Sequence, residues 1–227
     1  MRFFNEQIKT MFIIANLINP PCPMQTLKEE TRRRIIDVAR REFIAHGASG
    51  TSIRTIAHKA GMAVGNVYNY FRSKDELFRE VLRPLIERLD SYLLSHNKEQ
   101  HLRLDVFDME EPQNEYLIAM HTLIRSFRPE LRLLLSGAEG TSLAGYKERI
   151  TDHQTRIGTE YLRLMKERYP HLNTDISPFL LRIAASTWVA IFCELVYHEE
   201  YTEEEIELAL RQYARYGIAG WKALMQP

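Results

Sequence analysis

The glycine at position 61, set between two short helix-forming runs, constrains this chain more than any other feature. It sits inside TSIRTIAHKAGMAVGNVYNYFRSKDEL, Thr51 to Leu77. Ile53, Ile56, Ala57 and Ala60 recur at helical spacing, so a helix opening at Thr51 or Ser52 turns one apolar side inward and leaves Arg54, His58 and Lys59 outside. Gly61 ends that helix, because only glycine passes freely into the left-handed conformation that reverses a helix end so sharply, and Met62 fills the space beneath the turn. A second helix follows at once, about Ala63 to Tyr70. It is too short to be stable alone, and its inward residues are Val67 and, just past its end, Phe71.

The other face of this second helix carries the chemistry. Ala63, Val64, Gly65, Asn66 and Asn69 are small or amide-bearing, which lets a backbone come close to base edges, while Tyr68 and Tyr70 offer hydroxyls at phosphate distance. That is the surface of a recognition helix. Ser73-Lys74-Asp75-Glu76 then forms a capping box, with serine at the cap and glutamate three residues later, and starts a third helix. Lys74 stands at its positive N-terminal end, a place that attracts phosphate.

At these residues the sequence resembles the tetracycline-repressor (TetR) family of transcriptional regulators. Thr51-Ser52, Ile56-Ala57, Ala60-Gly61, Val67-Tyr68, Tyr70-Phe71 and Ser73-Lys74-Asp75-Glu76 match the family pattern, with Leu77 one place early and Phe78 at the expected leucine. The resemblance covers about Lys28 to Arg88. It implies that Thr51, Ser52 and Arg54 lie near the DNA backbone, that Val64 to Asn66 and Asn69 face the groove, and that Tyr68, Tyr70 and Lys74 hold phosphates. The alternative, a helical protein-interaction module without operator recognition, leaves the glycine turn and the outward tyrosines without a purpose.

Charge is distributed to fit. The whole chain is neutral, yet Lys28 to Lys74 holds ten Lys/Arg against four Asp/Glu, a net of +6, and Asn97 to Pro227 holds fifteen against twenty, a net of −5. The basic end is the end with the helix-turn-helix, and phosphate neutralisation by such an excess gives affinity that falls with salt. Two cysteines without a CxxC pattern point to a reducing compartment and no metal site. The histidines form no HExxH or similar pair, and there is no Gly-rich phosphate loop, nucleophile elbow or paired-carboxylate motif, so neither catalysis nor a cofactor is expected. No stretch reads as a membrane span, and the expected location is the cytoplasm.

The chain divides into residues 1–23, an extension or a mis-assigned start; 24–88, the helix-turn-helix domain; and 89–227, a helical regulatory and dimerisation domain. The first helix is expected from Thr26 to His46, ended by Gly47, with Arg32, Arg33, Arg34, Arg40 and Arg41 on its outer side. The third continues from Ser73 through LFREVLRPLIERLDSYLL, with a bend or break at Pro84, where a backbone donor is missing. His96 to Gln113 reads as a polar linker. Further helices are expected over Gln113 to Phe127, from Arg128-Pro129 to Gly137, from Ser142 to Tyr169, from Ser177-Pro178 to His198, and after the Thr202-x-x-Glu205 capping box.

The fold class is therefore all-α, an N-terminal three-helix helix-turn-helix domain plus a C-terminal helical ligand-binding and dimerisation domain. One short recognition helix reads few base pairs, so specificity needs a homodimer on a palindromic double-stranded DNA operator. Trp188, Leu195, Leu210, Tyr213, Gly217, Trp221 and Leu224 are the expected dimer joint. Tyr116, Met120, His121, Tyr146, His153, Tyr161, Trp188 and Phe192 are expected to line a pocket for a small apolar or aromatic effector, a role the resemblance implies and core packing rivals.

Overall fold

The computed structural model describes residues 23–94, 102–108 and 114–227. The readings of residues 1–22 and of much of the 96–113 linker lie outside these. Among the described residues there are eight α-helices, a 3-10 turn and no strand: α1 (Pro23–His46), α2 (Ile53–Lys59), α3 (Val64–Tyr68), α4 (Lys74–Leu94), the turn Asp105–Asp108, α5 (Asn114–Ser136), α6 (Tyr146–Arg168), α7 (Pro178–Tyr197) and α8 (Glu203–Met225).

The first four helices share one core. Ile35, Ala39 and Phe43 from α1, Ile56 and Ala57 from α2, Val67 from α3 and Leu77, Phe78 and Leu82 from α4 are buried together. Phe43 and Phe78 meet edge to face, ring centroids 5.0 Å apart, an arrangement that aromatic quadrupoles favour. The same cluster runs on through Ile124, Leu131 and Leu134 of α5 to Phe192 and Val196 of α7. α1 to α4 are thus joined to α5 and α7 by continuous apolar packing. A second cluster at the far end gathers Phe107, Leu162, Met165, Leu172, Leu181 and Met225.

Local signals set most boundaries. Gly47 and Gly61 take the left-handed conformation, φ +68° and +69°, and end α1 and α2. Thr202 and Glu205 exchange both bonds of a capping box at the start of α8. Ser177 precedes Pro178 at the first position of α7. Phe127 (φ −131°, ψ 20°) breaks the α5 geometry two residues before Pro129, so this helix is two segments joined at a kink.

Four expectations change. α4 runs unbroken through Pro84. Proline removes one hydrogen bond, and Val81, Leu82, Leu85 and Leu89, all buried, hold the helix on either side. α6 starts at Tyr146 rather than Ser142, because Gly145 at its cap is left-handed, φ +70°. The supposed linker contributes the 3-10 turn, whose Phe107 is buried. Finally, Pro178–Tyr197 is long and apolar enough to cross a membrane, by length and composition alone. Here Leu181, Ala185, Val189, Phe192 and Val196 are buried in the bundle.

Candidate nucleic-acid interface

α3 is anchored from below and open above. Val67 is fully buried and Phe71 nearly so, while Ala63, Val64, Gly65, Asn66, Tyr68 and Asn69 are all exposed. A Cβ built on Gly65 would meet nothing within 4 Å, so this face has room for another molecule's backbone. Tyr70 is half-buried against the core. Ser52 caps α2, its Oγ accepting the Thr55 N–H at 3.0 Å, and Arg54 points outward beside it.

Two of the expected contact residues are used internally. Thr51 is 3% exposed, and its Oγ1 lies 2.8 Å from the Gly47 carbonyl oxygen and 3.1 Å from that of Glu42. Its side chain fastens the turn after α1, so the hydroxyl expected near a nucleic-acid backbone is used within the protein. The Lys74 ammonium donates to the carbonyls of Ala48 at 2.7 Å and Thr51 at 3.1 Å. Those carbonyls follow a helix end and need donors, so Lys74 satisfies them before any phosphate. Ser73 caps α4 as expected, Oγ accepting the Glu76 N–H at 3.0 Å, but the Glu76 carboxylate reaches the Arg72 N–H at 2.7 Å.

The outer arginines of α1 also divide. Arg32 is committed to Glu80 at 2.8 Å and lies over the Phe71 ring, and Arg40 is committed to Glu130. Arg33, Arg34 and Arg41 remain exposed. Burial alone would raise the Glu80 carboxyl, but the hydrogen bonds and charges of Arg32 and Arg83 outweigh it and hold the group below its ordinary value. Arg72, exposed between α3 and α4, was missed. Its signal was available: it is the cation between the recognition helix and the capping box.

The orientation of this unit is set by contacts with residues 130–142. The Ala48 N–H donates to the Gly137 carbonyl at 2.8 Å. Ser49 Oγ donates to the Glu139 carbonyl at 2.9 Å, and the Ser142 N–H donates to Asp75 Oδ1 at 2.7 Å. Arg40 Nε donates to Glu130 Oε1 at 2.6 Å. α1 and the start of α4 are both tied to the segment that ends α5.

The expected pocket residues are spread through the packing. Met120 and Phe192 belong to the main core, with Tyr146 and Trp188 packed against it, and Trp188 stacks on Phe192 with centroids 5.8 Å apart. His121 and His153 are half-buried. Tyr161 lines a separate cavity at the far end. The side chain of Tyr116 lies outside the described residues.

The expected dimer joint is also redrawn. Leu210 is 5% exposed and sits in the protomer's own core, with Leu195 packed against it, and Trp221 packs into the second cluster. Tyr213 and Gly217 are partly covered and Leu224 is exposed. Besides Leu224, the outward apolar side chains are Phe179 and Ile183 on α7 and Leu208 and Tyr216 on α8. Periodicity singled out α7 and α8 but not the side chains they turn outward, and α7 is apolar on more than one side.

A short exposed helix held on a helical hairpin at the basic end of an all-α chain defines a three-helix helix-turn-helix protein. Residues 35–81 match the model of "Bacterial regulatory proteins, tetR family". The HTH-type transcriptional regulator SrpR of Pseudomonas putida is 48% identical over 54 residues, 24% of this chain and 25% of that protein. AcrR of Shigella flexneri is 45% identical over 53 residues, 23% and 25% of the two chains. Such matches span about a quarter of the curated relatives' length. Across the whole fold the chain is similar to MexZ, a repressor in Pseudomonas aeruginosa, at TM-score 0.55 and 21% identity, covering 87% of this chain and 98% of that one. NalD, the secondary repressor of the MexAB-OprM efflux pump in the same organism, aligns at TM-score 0.51 and 23% identity over 87% and 98%. The tetR-family likeness thus rests on the helix-turn-helix segment, and the fold of the whole chain is similar to that of these two solved structures.

Proposed function

We propose that this protein is a sequence-specific DNA-binding transcriptional regulator that acts in the cytoplasm as a homodimeric, ligand-responsive repressor. The observation that carries the reading is the α3 surface: six exposed small, amide or tyrosine residues stand over a fully buried Val67. Asn66 and Asn69 offer paired donors and acceptors to base edges, and Tyr68 with Arg54 and Arg72 offers donors to phosphates. Repression is supported by what the similar proteins are called, among them a probable acrEF/envCD operon repressor.

Two copies are needed because α3 spans only five residues. The outer faces of α7 and α8 favour a second copy: Phe179, Ile183, Ser186 and Ala190 on one, and Tyr216, Ala219, Gly220 and Leu224 on the other, are all exposed. Small residues among large ones let helices approach closely.

Selecting bound fragments from genomic DNA and sequencing them tests the reading. A shared, roughly palindromic site is expected, with Asn66→Ala or Asn69→Ala changing base preference and Tyr68→Phe weakening every sequence alike. Fragments without a common motif, bound equally by all variants, would defeat it.

A further inference from the structure

The exposed surface of α3 carries no charge, although it lies at the basic end of the chain. From Ala63 to Tyr70 there is no Arg, Lys, Asp or Glu. Arginine and lysine are the side chains that pair with guanine O6 and N7, and carboxylates are those that accept from cytosine N4, so this helix brings no reader of a G·C pair to the major groove. The neighbouring lysines do not supply one. Lys59 donates to Glu42 at 2.6 Å, and Lys74 is held by the Ala48 and Thr51 carbonyls. Arg54 stands on α2, the helix that crosses the backbone in such a unit, and Arg72 lies beyond the end of α3.

What α3 does carry is chemistry for A·T pairs. Successive residues turn by about 100° around a helix, so with Val67 pointing into the core, Gly65 and Asn69 lie at the middle of the outward face, with Asn66 and Tyr68 on its two flanks. Asn69 keeps helical dihedrals, φ −69° and ψ −19°, so this placement holds to the end of the helix. Its side-chain amide makes no hydrogen bond to any described residue. An asparagine is short, and it reaches a base edge only where the helix backbone itself comes close. Gly65, one turn earlier on the same line, permits that approach, since a Cβ there would project into open space. An amide offers one acceptor and one donor side by side, which matches the N6 donor and N7 acceptor of adenine, whereas guanine shows acceptors at both places. At the end of α3 that enters the groove first, Val64 is 36% exposed, and its methyls match the thymine methyl, the apolar group on that edge.

We propose that α3 reads A·T pairs: Asn69 takes N6 and N7 of an adenine, Val64 packs on the methyl of a thymine, and no G·C pair is recognised beneath this helix. The inference rests on the DNA reading proposed above and adds which bases are read. Arg54, Arg72 and Tyr68 then serve affinity through phosphates, and the uncharged face between them serves choice of sequence.

The test selects sites for the full chain from random duplexes, then repeats the selection with Asn69→Ala. The two motifs should differ by relaxation at an A·T pair. Replacing that adenine by its 7-deaza analogue, which lacks the N7 acceptor, should weaken binding of the unmodified protein about fivefold or more and leave Asn69→Ala indifferent. Replacing each thymine of the motif in turn by uracil should find one whose methyl is worth about fourfold, an effect that shrinks in Val64→Ala. Each comparison is made within one protein, between altered and unaltered duplexes, so a general loss of affinity or of folding cancels. Relaxation at a G·C pair or at none, or a response to the deaza analogue that Asn69→Ala retains in full, overturns the proposal and leaves DNA binding standing. Selection that yields no motif for the unmodified protein removes the DNA reading itself, and this inference with it.

Discussion

Arg40 and Glu130, ninety positions apart, meet with Nε 2.6 Å from Oε1. The pair is asymmetric. Glu130 is 6% exposed and its Oε2 has no hydrogen-bond partner, whereas the Arg40 side chain is 46% exposed. Removing the arginine leaves a buried carboxylate unpaired, while removing the carboxylate returns the arginine to water. Arg40→Met should therefore cost about 2–3 kcal/mol, Glu130→Met less, and the double variant less than the sum. Urea unfolding of the three variants measures this; equal, additive losses would mean that the two groups are not coupled.

Glycines at three positions should separate folding from recognition. Gly47→Ala forces a side chain to φ +68° with its Cβ 3.4 Å from the Gly137 oxygen, a strain of about 1–2 kcal/mol. Gly137→Ala puts a Cβ 2.9 Å from Leu133 Cδ1, and should also lower stability. Gly65→Ala has open space and lies in a helix, so its melting temperature should hold or rise while DNA affinity falls. A Gly65→Ala protein that binds DNA unchanged would remove α3 from the contact.

Lys74 should behave as a structural residue first. Lys74→Met leaves the Ala48 and Thr51 carbonyls without their donor, which costs about 1–3 kcal/mol. Thermal melting should register that loss before any gel shift, and a DNA effect with no change in melting would return Lys74 to the phosphates.

Glu80 gives a pH dependence. Its carboxyl is held low by Arg32 and Arg83, so the folded state binds its proton less readily than the unfolded chain. The stability it contributes is complete above the unfolded value of about 4.3 and disappears as pH falls through the lower folded value. Glu80→Gln should cost about 0.5–1 kcal/mol at pH 7, and the gap to the unmodified protein should close below about pH 4. A gap that persists at low pH would assign the loss to packing.

Ile183→Asp and Tyr216→Glu place charges on the exposed faces of α7 and α8, 45% and 75% exposed in the protomer. Sedimentation should find monomers with unchanged helical content. Leu210→Asp, in the core, should instead unfold the protein, and a dimer that survives both surface changes would move the interface elsewhere.

Much of the fold was legible in the sequence because its signals are local. The Ile53–Ile56–Ala57 stripe, the Gly61 turn, the Ser177-Pro178 start and the Thr202–Glu205 box each involve residues within one or two helical turns, and all appear as read. The exposed face of α3 follows from the same spacing, since Val67 and Phe71 are the only large apolar anchors there.

What sequence alone could not decide depends on partners far along the chain. Nothing local to Lys74 marks it as internal; the carbonyls of Ala48 and Thr51 do so once α1 and α4 are packed. The Arg40–Glu130 pair and the Ala48–Gly137 bond exist only where α5 ends against α1. The outer faces of α7 and α8, and a cavity beside Gly158, are likewise products of which apolar side finds a neighbour. Periodicity determines that a helix has a side to bury, but when every side is apolar only the approach of other helices selects it.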